Sequence, residues 1–191
     1  MPITTENHVS NYPIHTIASA PEKSKPALEW LQKAFGVLPN LPAVIANSPK
    51  LVNSLVGTFQ QVHSPGLLTE AENQIVLLTD AVTNSCNYAV AFHTALALQQ
   101  GISSEETDAI RNRRLPADKR HAALSALAKT LIEKRGHLSE QEFDSFLAAG
   151  FTQEHVFEVI AMVSASTITN YVGTIASPTL DEPFQPYAWQ G

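Results

Sequence analysis

Cys86 and His93 are the residues of this chain best suited to chemistry. Cys86 is the only cysteine, and it sits in Asn84-Ser85-Cys86-Asn87-Tyr88-Ala89-Val90-Ala91-Phe92-His93, at the head of a strongly apolar stretch. A serine ahead of the cysteine is a good helix N-cap. That predicts Cys86 in the first helical turn, where backbone N–H groups and the helix dipole favour a thiolate. Such a thiolate is a candidate nucleophile, and a neighbouring imidazole a candidate general acid or base. Spacing decides what the imidazole can serve. Residues four apart on a helix are neighbours at about 6 Å, whereas residues seven apart are displaced by roughly 10.5 Å. His93 therefore faces Ala89. It reaches Cys86 only if both side chains lean together, through a water, or through a distorted helix. One cysteine excludes disulfide cycling within the chain, so a sulfenic acid on Cys86 needs an outside thiol to resolve it.

The same residues have plainer readings. A lone cysteine is often a small buried hydrophobe, and His93, in a helix apolar almost all round, is equally a core or interface histidine that needs a hydrogen-bond partner. Gln74, Asn84 and Asn87 are candidates for a polar network around it, with Tyr88 and Phe92 as pocket walls. Asparagines near a helix start also serve as caps. The other histidines, His8, His15, His63, His121, His137 and His155, are scattered. There is no HExxH pair, cysteine cluster, Gly-rich phosphate loop or GxSxG elbow, so neither a metal nor another cofactor is expected.

The elements that must position these residues read as helices. Ser24 and Pro26 open one that Gly36 stops, and Ser48-Pro49 opens another through Leu51, Leu55, Phe59 and Val62. Between them lies a proline-punctuated piece, Leu38 to Ile45. Thr69 with Glu72, Ser103 with Glu106 and Ser139 with Glu142 have capping-box spacing. Asp118 caps a stretch to Gly136, and Thr152 starts a last long helix, although the β-branched run from Val163 to Thr169 leaves a strand open there. Alternation is nowhere sustained, which gives an all-α bundle of roughly eight to nine helices. Residues 1–191 read as a single domain, with an irregular tail from about residue 177 whose Phe184, Tyr187 and Trp189 favour docking, on this subunit or a neighbour.

Composition excludes several classes. The 191 residues carry a formal net charge of −6 and are 44% hydrophobic, enough for a core without disulfide or metal staples. The acidic balance argues against a nucleic-acid partner; the short cluster Arg111, Arg113, Arg114 reads as a solvated helix end. No segment reaches the roughly 18 continuous apolar residues of a membrane span, and residues 1–12 show no secretory pattern. A cytoplasmic location is expected.

Several segments carry a resemblance. Phe35-Gly36-Val37-Leu38-Pro39-Asn40-Leu41-Pro42, Leu68-Thr69-Glu70-Ala71-Glu72, Ser85-Cys86-Asn87-Tyr88 with His93-Thr94-Ala95-Leu96, Ala149-Gly150-Phe151-Thr152 and Asn170-Tyr171 together resemble the alkyl hydroperoxidase D and carboxymuconolactone decarboxylase family, in its peroxidase-related branch. The resemblance covers nearly the whole chain. It implies an all-α AhpD-like fold, a homo-oligomer (dimer, trimer or hexamer), and a redox site of glutamate, two cysteines and histidine. Those positions fall here on Gln74, Cys86, Ala89 and His93, so two of the four have lost their chemistry. Three functions follow as expectations. The first, and the one the resemblance favours, is an antioxidant alkyl-hydroperoxidase-like protein limited to one-cysteine peroxide reduction with an external thiol reductant. The others are a non-redox enzyme of the decarboxylase type using His93 as acid/base, and a catalytically silent ligand-binding oligomer.

Overall fold

The computed structural model describes residues 12–191; residues 1–11, which include His8 and most of the segment without a secretory pattern, lie outside the described residues. Among those described are nine α-helices and no strand: α1 Lys25–Phe35, α2 Asn40–Ile45, α3 Pro49–Val62, α4 Glu70–Thr83, α5 Asn87–Gln99, α6 Ser104–Arg111, α7 Lys119–Glu133, α8 Glu140–Ala148 and α9 Gln153–Ala176. Two 3-10 turns, Glu22–Ser24 and Glu182–Tyr187, flank the set. The sequence signals explain most boundaries. Thr69 and Ser139 form complete capping boxes with Glu72 and Glu142, and Gly36, at φ 76°, ends α1 in the left-handed region that glycine adopts without strain.

α4 is the central helix. It is buried continuously from Glu72 to Val82 and packs against α5, α6, α7 and α9. A helix covered on every side has no polar face to expose, which is why Ile75, Val76, Leu77, Leu78, Ala81 and Val82 are consecutive or nearly so. Glu72 keeps its charge at the edge of this core because the Arg120 guanidinium of α7 donates to it at 2.8 and 3.0 Å.

Four local expectations are corrected. Ser85 is not the N-cap of α5: it takes a left-handed backbone, φ 55°, to reverse the chain between α4 and α5, and Cys86 becomes the N-cap with no side-chain cap bond. Ser103 caps α6, but Glu106 does not return the bond; its carboxylate turns to His121 Nδ1 and the Asp118 N–H instead. Residues 163–169 are helical within the 24 residues of α9, because packing on α3, α4 and α7 overrides their β-branching. Arg111 is not a solvated helix end. It donates to Thr94 Oγ1 and to the carbonyls of Tyr187 and Ala188, while Trp189 Nε1 donates back to the Arg111 carbonyl. The tail thus docks on its own chain, with Phe184 buried against Ala91 and Ala95 of α5.

Candidate ligand site

The α4–α5 reversal sets where the sulfur goes. Cys86, as N-cap, points into the bundle and is fully buried. α9 closes over it: a Cβ added to Gly173 would lie 2.6 Å from Cys86 Sγ. Burial pushes the thiol pKa up, and the ionised form of nearby Asp80 adds to that. The N–H groups of Ala89 and Tyr88 and the Thr174 hydroxyl pull the other way and do not prevail. The helix-start thiolate expected from sequence is therefore a protonated, sealed thiol. The N-terminal field is present, but desolvation outweighs it.

His93 behaves differently. It lines, with Ala89, Tyr88 and Phe92 of α5, a small cavity completed by residues of α1, α2, α3 and α9, among them Leu31, Leu55 and Thr169. Its volume is about 40 Å³ for the centres of water-sized molecules, several times the roughly 10–15 Å³ that one water needs on such a measure. The walls are almost wholly apolar. Phe92 meets Phe35 and Phe184 edge to face, at centroid distances of 5.6 and 4.9 Å. Cys86 is not among the lining residues, whereas Ala89 is. The four-residue step between Ala89 and His93 thus does what the sequence spacing implied.

Hydrogen bonding fixes the imidazole. His93 Nδ1 lies 3.1 Å from Gln74 Oε1. An amide oxygen only accepts, so Nδ1 carries the proton and Nε2 presents a lone pair. Nε2 has no hydrogen-bond partner among the described residues. Burial lowers the His93 pKa to about 3, with a smaller push from His63, so the ring is neutral at any ordinary pH. Gln74 is the one member of the expected polar network that reaches it. Asn84 instead donates to Asp80, its Nδ2 2.9 Å from Oδ1, and Asn87 is exposed at the start of α5. Tyr88 has its ring in the cavity wall, while its hydroxyl donates to Asp181. Burial, and then that carboxylate, push the phenol pKa far up. Asp181 also accepts from the Asn40 N–H at the start of α2. The tail thereby ties α2 to α5 beside the cavity.

One buried cluster was missed from sequence. Asp80, fully buried in the last turn of α4, accepts from Asn170 Nδ2 at 2.6 Å and from Asn84. Burial raises its pKa to about 7 against the pull of Ser166, Asn170 and Asn84. Asn170 Oδ1 is the buried side-chain polar atom left without a partner among the described residues. The available signal was a lone aspartate inside the apolar run Ile75 to Val82, but its partners on α9 lie 86 and 90 residues away.

Residues 49–131 match the Carboxymuconolactone decarboxylase family. No curated protein is similar enough in sequence to match. Among solved structures, the fold resembles the alkylhydroperoxidase AhpD core of an uncharacterized peroxidase-related protein from Ralstonia eutropha JMP134. Its TM-score is 0.80 at 19% identity, covering 92% of this chain and 94% of that one. An uncharacterized peroxidase-related protein from Silicibacter sp. TM1040 gives 0.76 at 16% identity, over 96% and 97%. The debrominase Bmp8 gives 0.77 at 14% identity, over 93% and 96%. A cysteine-to-alanine form of that debrominase is known in complex with 2,3,4-tribromopyrrole.

Proposed function

For a chain whose residues 49–131 match the carboxymuconolactone decarboxylase family and whose fold is AhpD-like, we propose a non-redox role: binding a small, uncharged, largely apolar molecule over Ala89, with His93 Nε2 accepting a hydrogen bond from its single O–H or N–H. The observation that carries this reading is the division of the site. The cavity opens on Ala89 and His93, while Cys86 lies outside it, sealed and protonated. Reduction of a peroxide needs a thiolate that the peroxide can touch, and one-cysteine chemistry here requires α9 to move first.

The imidazole fits an acceptor better than a general acid. With its pKa near 3, the protonated form is scarcely populated, so there is no proton to give near neutrality. Nε2 is the polar atom an otherwise apolar pocket offers, and a donor on the ligand gives it a partner. A cysteine-to-alanine variant of the fold neighbour Bmp8 holds 2,3,4-tribromopyrrole, a small ring with one N–H, which is ligand chemistry of the same kind.

Calorimetric titration with phenol and toluene, together with peroxide turnover under excess dithiothreitol, tests the proposal. Phenol should bind more tightly than toluene by roughly tenfold, the worth of one hydrogen bond, and His93→Leu should erase that preference. Peroxide consumption should be the same in the native protein and Cys86→Ser. Turnover that disappears in Cys86→Ser would instead establish the one-cysteine peroxidase.

A further inference from the structure

A second, larger cleft shares no element with the His93 cavity. It lies between the end of α4, the α6–α7 turn, α7 and the start of α8, and measures about 350 Å³, within the roughly 300–1,000 Å³ of small-molecule sites. Its floor is buried and consists of Val82, Ile110 and the hydroxyl-bearing Thr79 and Ser125. Its rim carries Arg113, Arg114, Lys129 and Lys134, four of the twelve lysines and arginines in a chain of net charge −6. Cations gathered in this way set a local field opposite in sign to that of the whole molecule.

The two lysines have carboxylate partners. Lys134 donates to Glu142 Oε1 at 2.7 Å, and Lys129 stands 3.9 Å from Glu133 Oε1. The second pair is long and half exposed, so it competes weakly with another anion. The guanidinium groups have none. Arg113 gives one N–H to Ser85 Oγ at 2.9 Å and lies over the Trp189 ring, 5.5 Å from its centroid, which fixes its direction and leaves its charge uncompensated. Arg114, on the same rim, makes neither an ion pair nor a side-chain hydrogen bond among the described residues. The floor adds a neutral donor. Thr79 Oγ1 donates to Ser125 Oγ at 2.9 Å, and Ser125, 4% exposed, has no acceptor for its own O–H among the described residues. Reversing that bond only moves the unmet proton to Thr79. A buried donor without an acceptor is a standing cost that an anion's oxygen removes.

Past Ala126, Thr130 and Glu142 the cleft continues into a recess of about 200 Å³ walled by Leu127, Leu138 and Phe146. A cationic, donor-rich end thus runs into an apolar one. We propose that this groove binds a small phosphate monoester, its dianion between Arg113, Arg114 and Lys129, one oxygen accepting from Ser125, and its organic group laid over Ala126 toward Leu138 and Phe146. Phosphate suits the donor set better than carboxylate does. Its charge near neutrality is about −1.5 to −2, and it offers three terminal oxygens where a carboxylate has two. Both guanidinium groups, the ammonium and the hydroxyl then find an acceptor. Arg113 and Arg114, left over when Arg111 is drawn to the tail, acquire a use that a solvated helix end does not have. The site stands independently of the ligand proposed over Ala89, since no residue lines both.

Calorimetric titration of the full chain with phenyl phosphate at about pH 7.5, where the monoester is largely a dianion, should show one site. Raising salt from about 50 to about 500 mM should weaken it at least fivefold. Inorganic phosphate should bind about fivefold more weakly or less, having nothing for the apolar recess. Arg114→Gln should cost about tenfold, the worth of one charge-assisted hydrogen bond, and Ser125→Ala about threefold, both at unchanged helix content by circular dichroism. Lys50→Gln, outside the cleft, and His93→Leu should leave the affinity unaltered. Absence of saturable binding, equal weakening by Lys50→Gln and Arg114→Gln, or loss of binding in His93→Leu would overturn the proposal. Equal affinity for the two phosphates would overturn the part given to Leu138 and Phe146. Co-sedimentation with phosphatidic acid vesicles that Arg114→Gln abolishes, in a protein that does not bind phenyl phosphate, would also overturn it, since the cleft would then meet a lipid headgroup.

Discussion

Two buried groups in this core titrate in opposite senses, and their effects on stability should nearly cancel. Asp80 has its pKa raised to about 7 in the folded chain from 3.8. Between those values the folded state keeps a proton that the unfolded chain has released, so Asp80 supports folding fully below pH 3.8, and that support is lost as pH rises through 7. His93 is lowered to about 3 from 6.5. Its neutral folded form favours folding above 6.5, and the contribution is lost as pH falls, because the unfolded chain takes up the proton. Over pH 4.5 to 7.5 each group accounts for roughly 3 kcal/mol at about 1.4 kcal/mol per pKa unit, with opposite sign. Native urea midpoints should therefore vary little across this range on account of the pair. Asp80→Asn should unmask the histidine and lose stability on acidification; His93→Gln should unmask the aspartate and lose it on the way to pH 7.5. Each variant is compared with the native protein at the same pH, so that the surface carboxylates cancel. If the difference between Asp80→Asn and native is flat from pH 4.5 to 7.5, Asp80 does not hold its proton in the fold.

Three further outcomes follow from the same geometry. Gly173→Ala should destabilise by about 1–2 kcal/mol in urea denaturation, overpacking against Sγ exceeding the helix-propensity gain, and should become stabilising in Cys86→Ala; additive effects would mean that the thiol and α9 are not in contact. Gln74→Glu should raise the His93 pKa by more than one unit, read from imidazole NMR shifts, since a carboxylate on Nδ1 favours the charged ring; an unchanged titration would show that the pair is not hydrogen-bonded. Arg111→Ala removes the guanidinium that donates to the Tyr187 and Ala188 carbonyls and should speed chymotrypsin cleavage at Leu180, Phe184, Tyr187 and Trp189 by tenfold or more, with the rest of the chain intact. Unaltered cleavage would show that Phe184, Trp189 and the Asp181 bonds to Tyr88 and Asn40 hold the tail without Arg111.

What was legible in the sequence was local. Capping boxes at Thr69 and Ser139, the glycine stop at Gly36 and the four-residue relation of Ala89 to His93 depend on neighbours within a turn, and all hold in the structure. The environment of Cys86 depends on Gly173, 87 residues later, and no local rule contains it. The same is true of Asp80, whose partners Ser166 and Asn170 come from α9. Ser85 shows a different limit. Its N-cap propensity was real, but the chain had to reverse between two helices packed against each other, and that put Ser85 in a left-handed conformation and passed the cap to Cys86. The arginine cluster failed for a related reason: Arg111 had an acceptor-rich tail to bind, and that tail is 76 residues away.

The two departures from the redox pattern act together chemically. A carboxylate at position 74 beside a buried imidazole would demand a charge on the ring to offset its own desolvation, since an isolated ion in an apolar site is costly. Gln74 removes that demand. The imidazole stays neutral, one nitrogen is satisfied, and the other is left as a bare acceptor. A sulfur at position 89 would stand in the cavity wall four residues from that acceptor and take its hydrogen bond. Ala89 leaves both the acceptor and the volume free. Neither change alone yields an uncharged apolar pocket with one directed lone pair, whereas the pair does. The discrimination proposed for it rests on presence of a donor rather than on charge. Binding should accordingly be insensitive to pH between 5 and 8, because no group that touches the ligand changes protonation there.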